Sequence, residues 1–505
     1  MKPALLPLVA LIYLLAILLG PAPLHGAFLI FPDGGAPTEN GVKAALEAYQ
    51  RGDFPEAVER FKTEATRGDR EAQFALARLY EEGSGVAYSL TDAETLYRQA
   101  AAQGHPGAQS NLAILLLNSQ RTPEGLDWLR KAAAAGAAPA MTLLGNLSLT
   151  GNGLPKNEKD AKTWLTKAAD LGDADALASL SLMAETGTAL PKDPAKALDL
   201  LQKAAERNSV KALLRLAMKR LKGDGLPKDG AQTISLLTRA ANLGSTEATL
   251  ALGTLYETGE SVEKNLATAL KWYRQAADAG DSTASLKLGV LYSEGSKDIP
   301  QDDTKALQAF LRSAELGQPA AMYNVGTYFE KGRGAAPNPT ESFKWHLKAA
   351  LSGLSLAQRE IGLRYRTGRG VQTDTVVALS WLSRAATAGD ADAALTLADM
   401  LLAGEGGLPP NPTNAIAILT RASELGLPAA QVRLASLYAS SPTAPPADLI
   451  RAYALTLAAG PDFPPALKLK SELATKLTPT QITEAKAELT RLKAKPKGED
   501  KAPPN

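Results

Sequence analysis

There is no cysteine in the 505-residue chain, which rules out a disulfide framework and any thiolate metal site. Three histidines, His25, His105 and His346, are too few and too scattered for a histidine-rich metal centre, so neither metal nor cofactor is expected. Aromatics are 5% of residues against 45% hydrophobic, and alanine and leucine make up much of the difference, a composition that favours helices over strands. A dominant charge sign is missing too. Lys and Arg number 55 against 53 Asp and Glu, which gives no reason to expect nucleic acid or an anionic membrane as the main partner. No G-x-S-x-G, H-E-x-x-H or Gly-Lys dipeptide occurs, so the motifs of a serine hydrolase, a zinc protease and a phosphate-binding loop are all lacking, and no catalytic residue is assigned.

What is present begins with the leader MKPALLPLVALIYLLAILLGPAPLHGAF, one lysine and then an uncharged apolar run from Ala4 to Leu19. Its form predicts a secretory signal over residues 1–26, with an uncleaved anchor in the inner membrane as the alternative, because the run verges on bilayer length. Either reading exports the body to the periplasm or beyond.

From residue 67 onward the chain repeats itself. Aligned on A-A-x-x-G-x-x-x-A, anchors fall at Gly68, Gly104, Gly136, Gly172, Asn208, Gly244, Gly280, Gly317, Gly353, Gly389 and Gly426. The interval is 36 or 37 residues everywhere except the 32 between Gly104 and Gly136. Alanine stands four residues after every anchor, from Ala72 to Ala430. Such regularity identifies a solenoid of helix pairs. After each anchor a segment apolar at helical spacing predicts helix A. A glycine fifteen residues on, in nine of the eleven units from Gly83 to Gly404, suits the left-handed end of that helix, while Ser441 stands there in the last unit. Asn or Asp then recurs as the expected cap of helix B (Asn157, Asp193, Asp229, Asn265, Asp302, Asn338, Asp374, Asn411). GNGLPK at 151–156 and GDGLPK at 223–228 occupy this same inter-helix turn two units apart, so they are punctuation of the repeat.

The combination A-A-x-x-G-x-x-x-A, L-G-x-L-Y, G-x-G, P-K-[ND]-x-x-x-A and W-x-x-[KR]-A-A resembles the Sel-one-like repeat (SLR) family, relatives of tetratricopeptide repeats. The expected fold is therefore all-α, an α/α solenoid, by the resemblance a right-handed superhelix, of about eleven 36-residue helix-turn-helix repeats. Residues 27–40 read as a linker, 41–66 as an N-terminal tetratricopeptide-like helix pair, 67–460 as the array, 461–494 as C-terminal capping helices with a Thr478–Gln481 capping box, and 495–505 as a disordered tail. The resemblance implies a non-enzymatic scaffold for proteins or peptides, an adaptor in an envelope-associated assembly. Some cysteine-rich relatives have been linked to β-lactam binding, but their stapling cysteines are absent here. The alternative reading is a binder of cell-wall or envelope polysaccharide.

Trp128, Trp164, Trp272, Trp345 and Trp381 all stand eight residues before an anchor. They read as packing residues of helix B, with a glycan platform as the sharper alternative. Gly280-Asp-Ser282 belongs to a Gly-Asp pattern that recurs without serine at Gly68, Gly172 and Gly389, and the histidines read as packed or surface residues. Two basic stretches stand out: Lys211, Arg215, Lys219, Arg220 and Lys222 in one helix A, and Arg359, Arg364, Arg366 and Arg369 in another and its loop. Within them, Arg215, Lys219, Arg359, Arg364, Arg366 and Arg369 are the candidate partner-binding residues, set against the plainer reading of a solvated face.

Overall fold

The computed structural model describes residues 40–440 and 444–494, so the leader, most of the linker, Ser441 and the tail lie outside the described residues. All regular structure there is helical, mostly in thirteen-residue α-helices with one short 3-10 turn at Glu405–Gly407, and no strand occurs among the described residues. The chain divides into two compact units between Asn265 and Leu266. In the first, a pair Asn40–Gln50 and Phe54–Thr66 precedes A and B helices in alternation, among them Ala138–Thr150 with Glu158–Asp170, Ala174–Thr186 with Pro194–Glu206, and Val210–Lys222 with Gly230–Asn242. In the second, Ser282–Glu294 pairs with Asp303–Glu315, Pro319–Lys331 with Pro339–Leu351, and Ser355–Thr367 with Thr375–Thr387, and the unit closes on Pro464–Ala474 and Pro479–Ala494. Within each unit successive helices pack on one another as far as Pro464–Ala474, and the last helix, Pro479–Ala494, packs on Pro446–Ala458; this is the α/α solenoid arrangement.

Local chemistry explains the period. Every anchor glycine has a positive φ, and the one substitute, Asn208, sits at φ 61°, a conformation asparagine tolerates better than most residues. In seven of the eleven repeats the next residue caps helix A, the exceptions being Ala137, Gln318, Leu354 and Leu427: Asp69 accepts from the Ala72 N–H at 2.7 Å, Asp173 from Ala176 at 2.7 Å, and Ser209 from Ala212 at 3.2 Å. That is why Gly-Asp recurs. Helix B is capped in the same way by Asn157, Asp193, Asp229, Asp302, Asn338, Asp374 and Asn411.

The two glycines of the inter-helix turn do different work. The first ends helix A in the left-handed conformation, as at Gly151 and Gly368. The second, also at positive φ, lies against the start of the preceding helix B. A Cβ on Gly85 would fall 2.7 Å from the Phe54 backbone, and one on Gly334 2.3 Å from the Asp303 oxygen. Where that glycine is replaced, Ala189 and Ser261 hold φ values of 56° and 64°. The short Gly104 unit joins its helices through Ser119 to Arg121, with Gln120 at φ 60°.

Between helices the core repeats one contact. A large side chain seven residues before an anchor packs onto a small residue of the preceding helix A: Leu165 on Gly145, Phe310 on Gly289 and Leu382 on Gly362. Each of these is at most 1% exposed, and burying such a side chain contributes roughly 1.5–3 kcal/mol. No single helix of this length is stable alone, so stacking holds the array together.

Candidate interaction surface

In parts of both units successive A helices approach each other more closely than successive B helices do: Ala174–Thr186 touches both Ala138–Thr150 and Val210–Lys222, and Ala391–Ala403 touches Pro428–Ala439. Side chains three, seven and ten residues after an anchor are half-buried or exposed, apart from the buried Ala75, and they change identity from unit to unit. In the first compact unit they include Asn111, Leu143, Ser179 and Leu182, the last 44% exposed. Two open grooves lie in the surface of the described residues. One of about 470 Å³ is lined by Lys62, Thr66, Gln73, Leu96 and Gln99, and one of about 370 Å³ by Leu379, Ser383, Leu401, Asn414 and Ile418. Neither brings a nucleophile to a base.

All six candidate partner-binding residues meet carboxylates of the array. Arg215 and Lys219 both reach Glu185 at 2.5 Å, and Lys219 also reaches Asp224 at 3.1 Å. Burial pushes the Glu185 carboxyl up, but Lys219 and Arg215 outweigh it and hold the group below the usual carboxylate range. In the second unit Arg359 pairs with Asp390 at 3.1 Å and Asp392 at 3.3 Å, and Arg366 grips Glu405 through two nitrogens at 2.8 and 2.5 Å. Arg369 pairs with Glu360 and lies 3.5 Å from Glu330.

Arg364 is 1% exposed and bonds to Glu330 at 2.9 Å, Glu360 at 2.8 Å and the Ser342 hydroxyl at 3.1 Å. It occupies the slot filled by Leu255 and Leu291 in other repeats. Two neighbouring core slots are polar as well: Ser342 stands where alanine is usual, and His346 where Leu165, Leu201 or Phe310 stand. The His346 ring lies 3.3 Å from Ser342 Oγ and 3.4 Å from Thr327 Oγ1, edge-on to Tyr323. Burial, reinforced by Arg364, lowers its pKa to about 4. A serine beside a histidine suggests nucleophile and base, yet both are at most 1% exposed, so no substrate reaches them. His105, also buried, is structural: its Nδ1 accepts the Ala108 N–H at 3.0 Å and its Nε2 meets Glu71 at 3.0 Å.

Each tryptophan is half-buried. A cation of the same helix lies over four of the rings: Lys131 over Trp128 and Lys348 over Trp345 at 4.0 Å, Arg384 over Trp381 at 4.8 Å, and Lys167 over Trp164 at 5.0 Å.

The carboxylate partners were missed in the sequence although a signal exists. Glu185 and Lys219, Glu330 and Arg364, Asp399 and Arg433, Asp278 and Arg312, and Glu71 and His105 are all 34 residues apart. Scanning for opposite charges just short of the 36-residue period would have found them.

A family model described as Sel1 repeat matches the chain ten times, at residues 70–105, 106–136, 138–173, 174–209, 210–245, 246–281, 282–318, 319–354, 355–390 and 391–427. Over 153 residues the chain is 31% identical to an exopolysaccharide production negative regulator of Rhizobium meliloti (strain 1021), covering 26% of this chain and 57% of that protein. A protein of the same name from Rhizobium leguminosarum bv. viciae is 28% identical over 151 residues, with the same coverage. The chain thus spans little more than half the length of these relatives. Among solved structures it is similar to a protective antigen present in uropathogenic Escherichia coli strains that displays an SLR fold, at 26% identity and a TM-score of 0.51, covering 89% of this chain and 99% of that one. A Sel1 repeat protein from Oxalobacter formigenes is 25% identical with a TM-score of 0.45, covering 72% of this chain and 95% of that one.

Proposed function

The chain belongs to the Sel1 repeat family, whose arrays serve in general as protein-interaction scaffolds, and from that premise we propose that it is an exported, non-enzymatic adaptor in an envelope-associated assembly. The observation that carries this reading is the contrast within the A layer, where the buried positions repeat and the solvent-facing ones do not. A regular core supplies rigidity, and a varied face supplies a partner-specific row of contacts whose side chains lose little freedom on binding. Export rests on the apolar run Ala4 to Leu19. The relatives named as regulators of exopolysaccharide production suggest that the assembly controls polysaccharide output. Direct binding of glycan through the tryptophans is the weaker reading, because a cation already lies over four of the five rings.

The test is proximity labelling with the tagged protein in its native host, after fractionation into cytosolic, membrane and soluble envelope extracts. Enrichment of specific proteins from envelope fractions supports the adaptor. Recovery of the protein from the cytosol alone sinks export, and recovery of wall or polysaccharide material without an enriched protein replaces the adaptor with a glycan binder.

A further inference from the structure

The turn phrase that looked like mere punctuation also displays side chains. Leu-Pro-Lys recurs at 154–156, 190–192 and 226–228, in three consecutive inter-helix turns of the first compact unit. In all three turns the lysine stem lies across the glycine that ends helix A, and in the first Lys156 is paired with Glu158 at 2.8 Å. Lys192 Cβ is 3.2 Å from where a Gly187 Cβ would be, and Lys228 Cγ is 3.0 Å from the corresponding point on Gly223. The turns are clipped: the Asp193 N–H donates to the Ala184 carbonyl at 2.8 Å and the Asp229 N–H to the Arg220 carbonyl at 3.3 Å. Each ammonium therefore leaves the loop end of its helix pair from a fixed base, beside a half-buried Leu190 or Leu226 and an exposed Pro191 or Pro227.

The surroundings leave this end positive. Between Gly187 and Gly230 there are ten Lys and Arg against five Asp and Glu, and with Glu185 and Asp175, which pair with Arg215, Lys219 and Lys211 from outside the stretch, ten cations face seven carboxylates, a balance of +3 in a chain whose whole balance is +2. Of the five acids, Asp193 and Asp229 cap helices, Asp199 pairs with Lys203, and Asp224 pairs with Lys219. Lys192, Lys196 and Lys228 are exposed, and among the described residues no carboxylate pairs with them. They share the loop end of two successive repeats with Arg220, whose guanidinium is tied to the Pro227 carbonyl at 3.3 Å.

We propose that this loop end, Lys192, Lys196 and Lys228 with the flanking Leu-Pro pairs, is a docking surface for an acidic, extended segment of a partner protein. The proposal rests on the adaptor reading and supplies its partner chemistry. Residues 187–230 contain no Phe, Trp or Tyr, so the surface has no ring on which sugars or bases stack. Single ammonium groups one repeat apart, each beside a small apolar step, suit carboxylates spaced along a peptide with apolar residues between them.

The test uses the purified full chain and a fluorescent oligoglutamate, with an oligogalacturonate of equal charge as the competing polymer. The triple variant K192E/K196E/K228E is expected to weaken oligoglutamate binding about tenfold or more at low salt. The charge-matched K468E/K470E/K476E, on helix Pro464–Ala474 and just beyond it, is expected to stay within about twofold of the parent. The milder K192A/K196A/K228A is expected to fall between the two and guards against misfolding of the charge-reversed chain. The proposal is overturned if the C-terminal variant loses as much, if no variant loses affinity, or if oligogalacturonate binds at least as tightly as oligoglutamate. A host pull-down without protein partners would sink the adaptor reading separately, since the purified measurement does not depend on it.

Discussion

Two basic stretches, Lys211 to Lys222 in the first compact unit and Arg359 to Arg369 in the second, look alike along the chain, and folding treats them differently. In the second, Arg359, Arg364, Arg366 and Arg369 all find carboxylates, and Arg364 disappears into the core. In the first, Arg215 and Lys219 share Glu185 and Lys211 lies 3.5 Å from Asp175, while Lys192 and Lys228 of the neighbouring inter-helix turns stay exposed with no carboxylate paired to them among the described residues. Whether a cation is available to a partner depends on what the neighbouring repeats place beside it. A run of charge along one helix is therefore poor evidence for a binding face in a solenoid, and a lysine set on a turn between helices is better evidence.

The sharpest way to break this comparison is Arg364→Ala, which strands Glu330 and Glu360 beside a cavity and is expected to destabilise the surrounding repeats by about 3–5 kcal/mol. Loss of amide-exchange protection in Pro319–Lys331 and Ser355–Thr367 would report it. Arg364→Leu, the residue of the equivalent slot at Leu291, fills the cavity but leaves the same carboxylates without the guanidinium and is expected to recover only part of that loss, and Lys219→Ala in the first unit to cost less because Lys219 keeps 15% exposure. Equal losses at Arg364 and Lys219 would erase the distinction.

His346 provides the next test. Its pKa falls from the ordinary 6.5 to about 4 on folding, so the unfolded chain takes up a proton that the folded chain refuses. Stability is full above about pH 6.5, declines as pH falls towards 4 and levels off below that, a loss of about 3 kcal/mol across the window. Urea unfolding between pH 7 and 4.5 should show this slope, and His346→Leu should flatten it. An unchanged slope in the variant would assign the acid sensitivity elsewhere.

A smaller effect separates glycines that look identical in sequence. Gly334→Ala puts a methyl against the Asp303 carbonyl and is expected to cost about 2–3 kcal/mol. Gly225→Ala meets nothing within 4 Å and should cost only the left-handed penalty of about 1 kcal/mol. Thermal midpoints of the two variants would rank them. Smallest of all, Ala189→Gly and Ser261→Gly remove left-handed strain and should each stabilise the first unit by up to about 1 kcal/mol; a lowered midpoint would show that their side chains matter more than their φ.

The repeat was legible because its determinants are local. A left-handed glycine, a capping Asp or Asn and a buried alanine each act within one or two helical turns, so their 36-residue recurrence spelled out the helix pairs before any packing was known. The Gly-Asp step was visible in the same way, although its role as the cap of helix A emerged only from the Asp69 and Asp173 hydrogen bonds. The candidate surface was less legible. Arg364 had the appearance of a solvated cation because nothing in its own helix reveals that Ser342, Glu330 and Glu360 converge on it.

Sequence alone settled the helical class, the period, the glycine that ends helix A in most repeats and the absence of thiol chemistry, since all of these follow from short-range backbone preferences and composition. Tertiary structure decided which charges are neutralised, why the second turn glycine must lack a side chain at Gly85 and Gly334 but not at Gly225, and that His346 and Ser342 are sealed in a core. These outcomes depend on distances between residues about 20 to 40 apart along the chain, set by how one repeat lies on the next, and a local pattern contains no record of that contact.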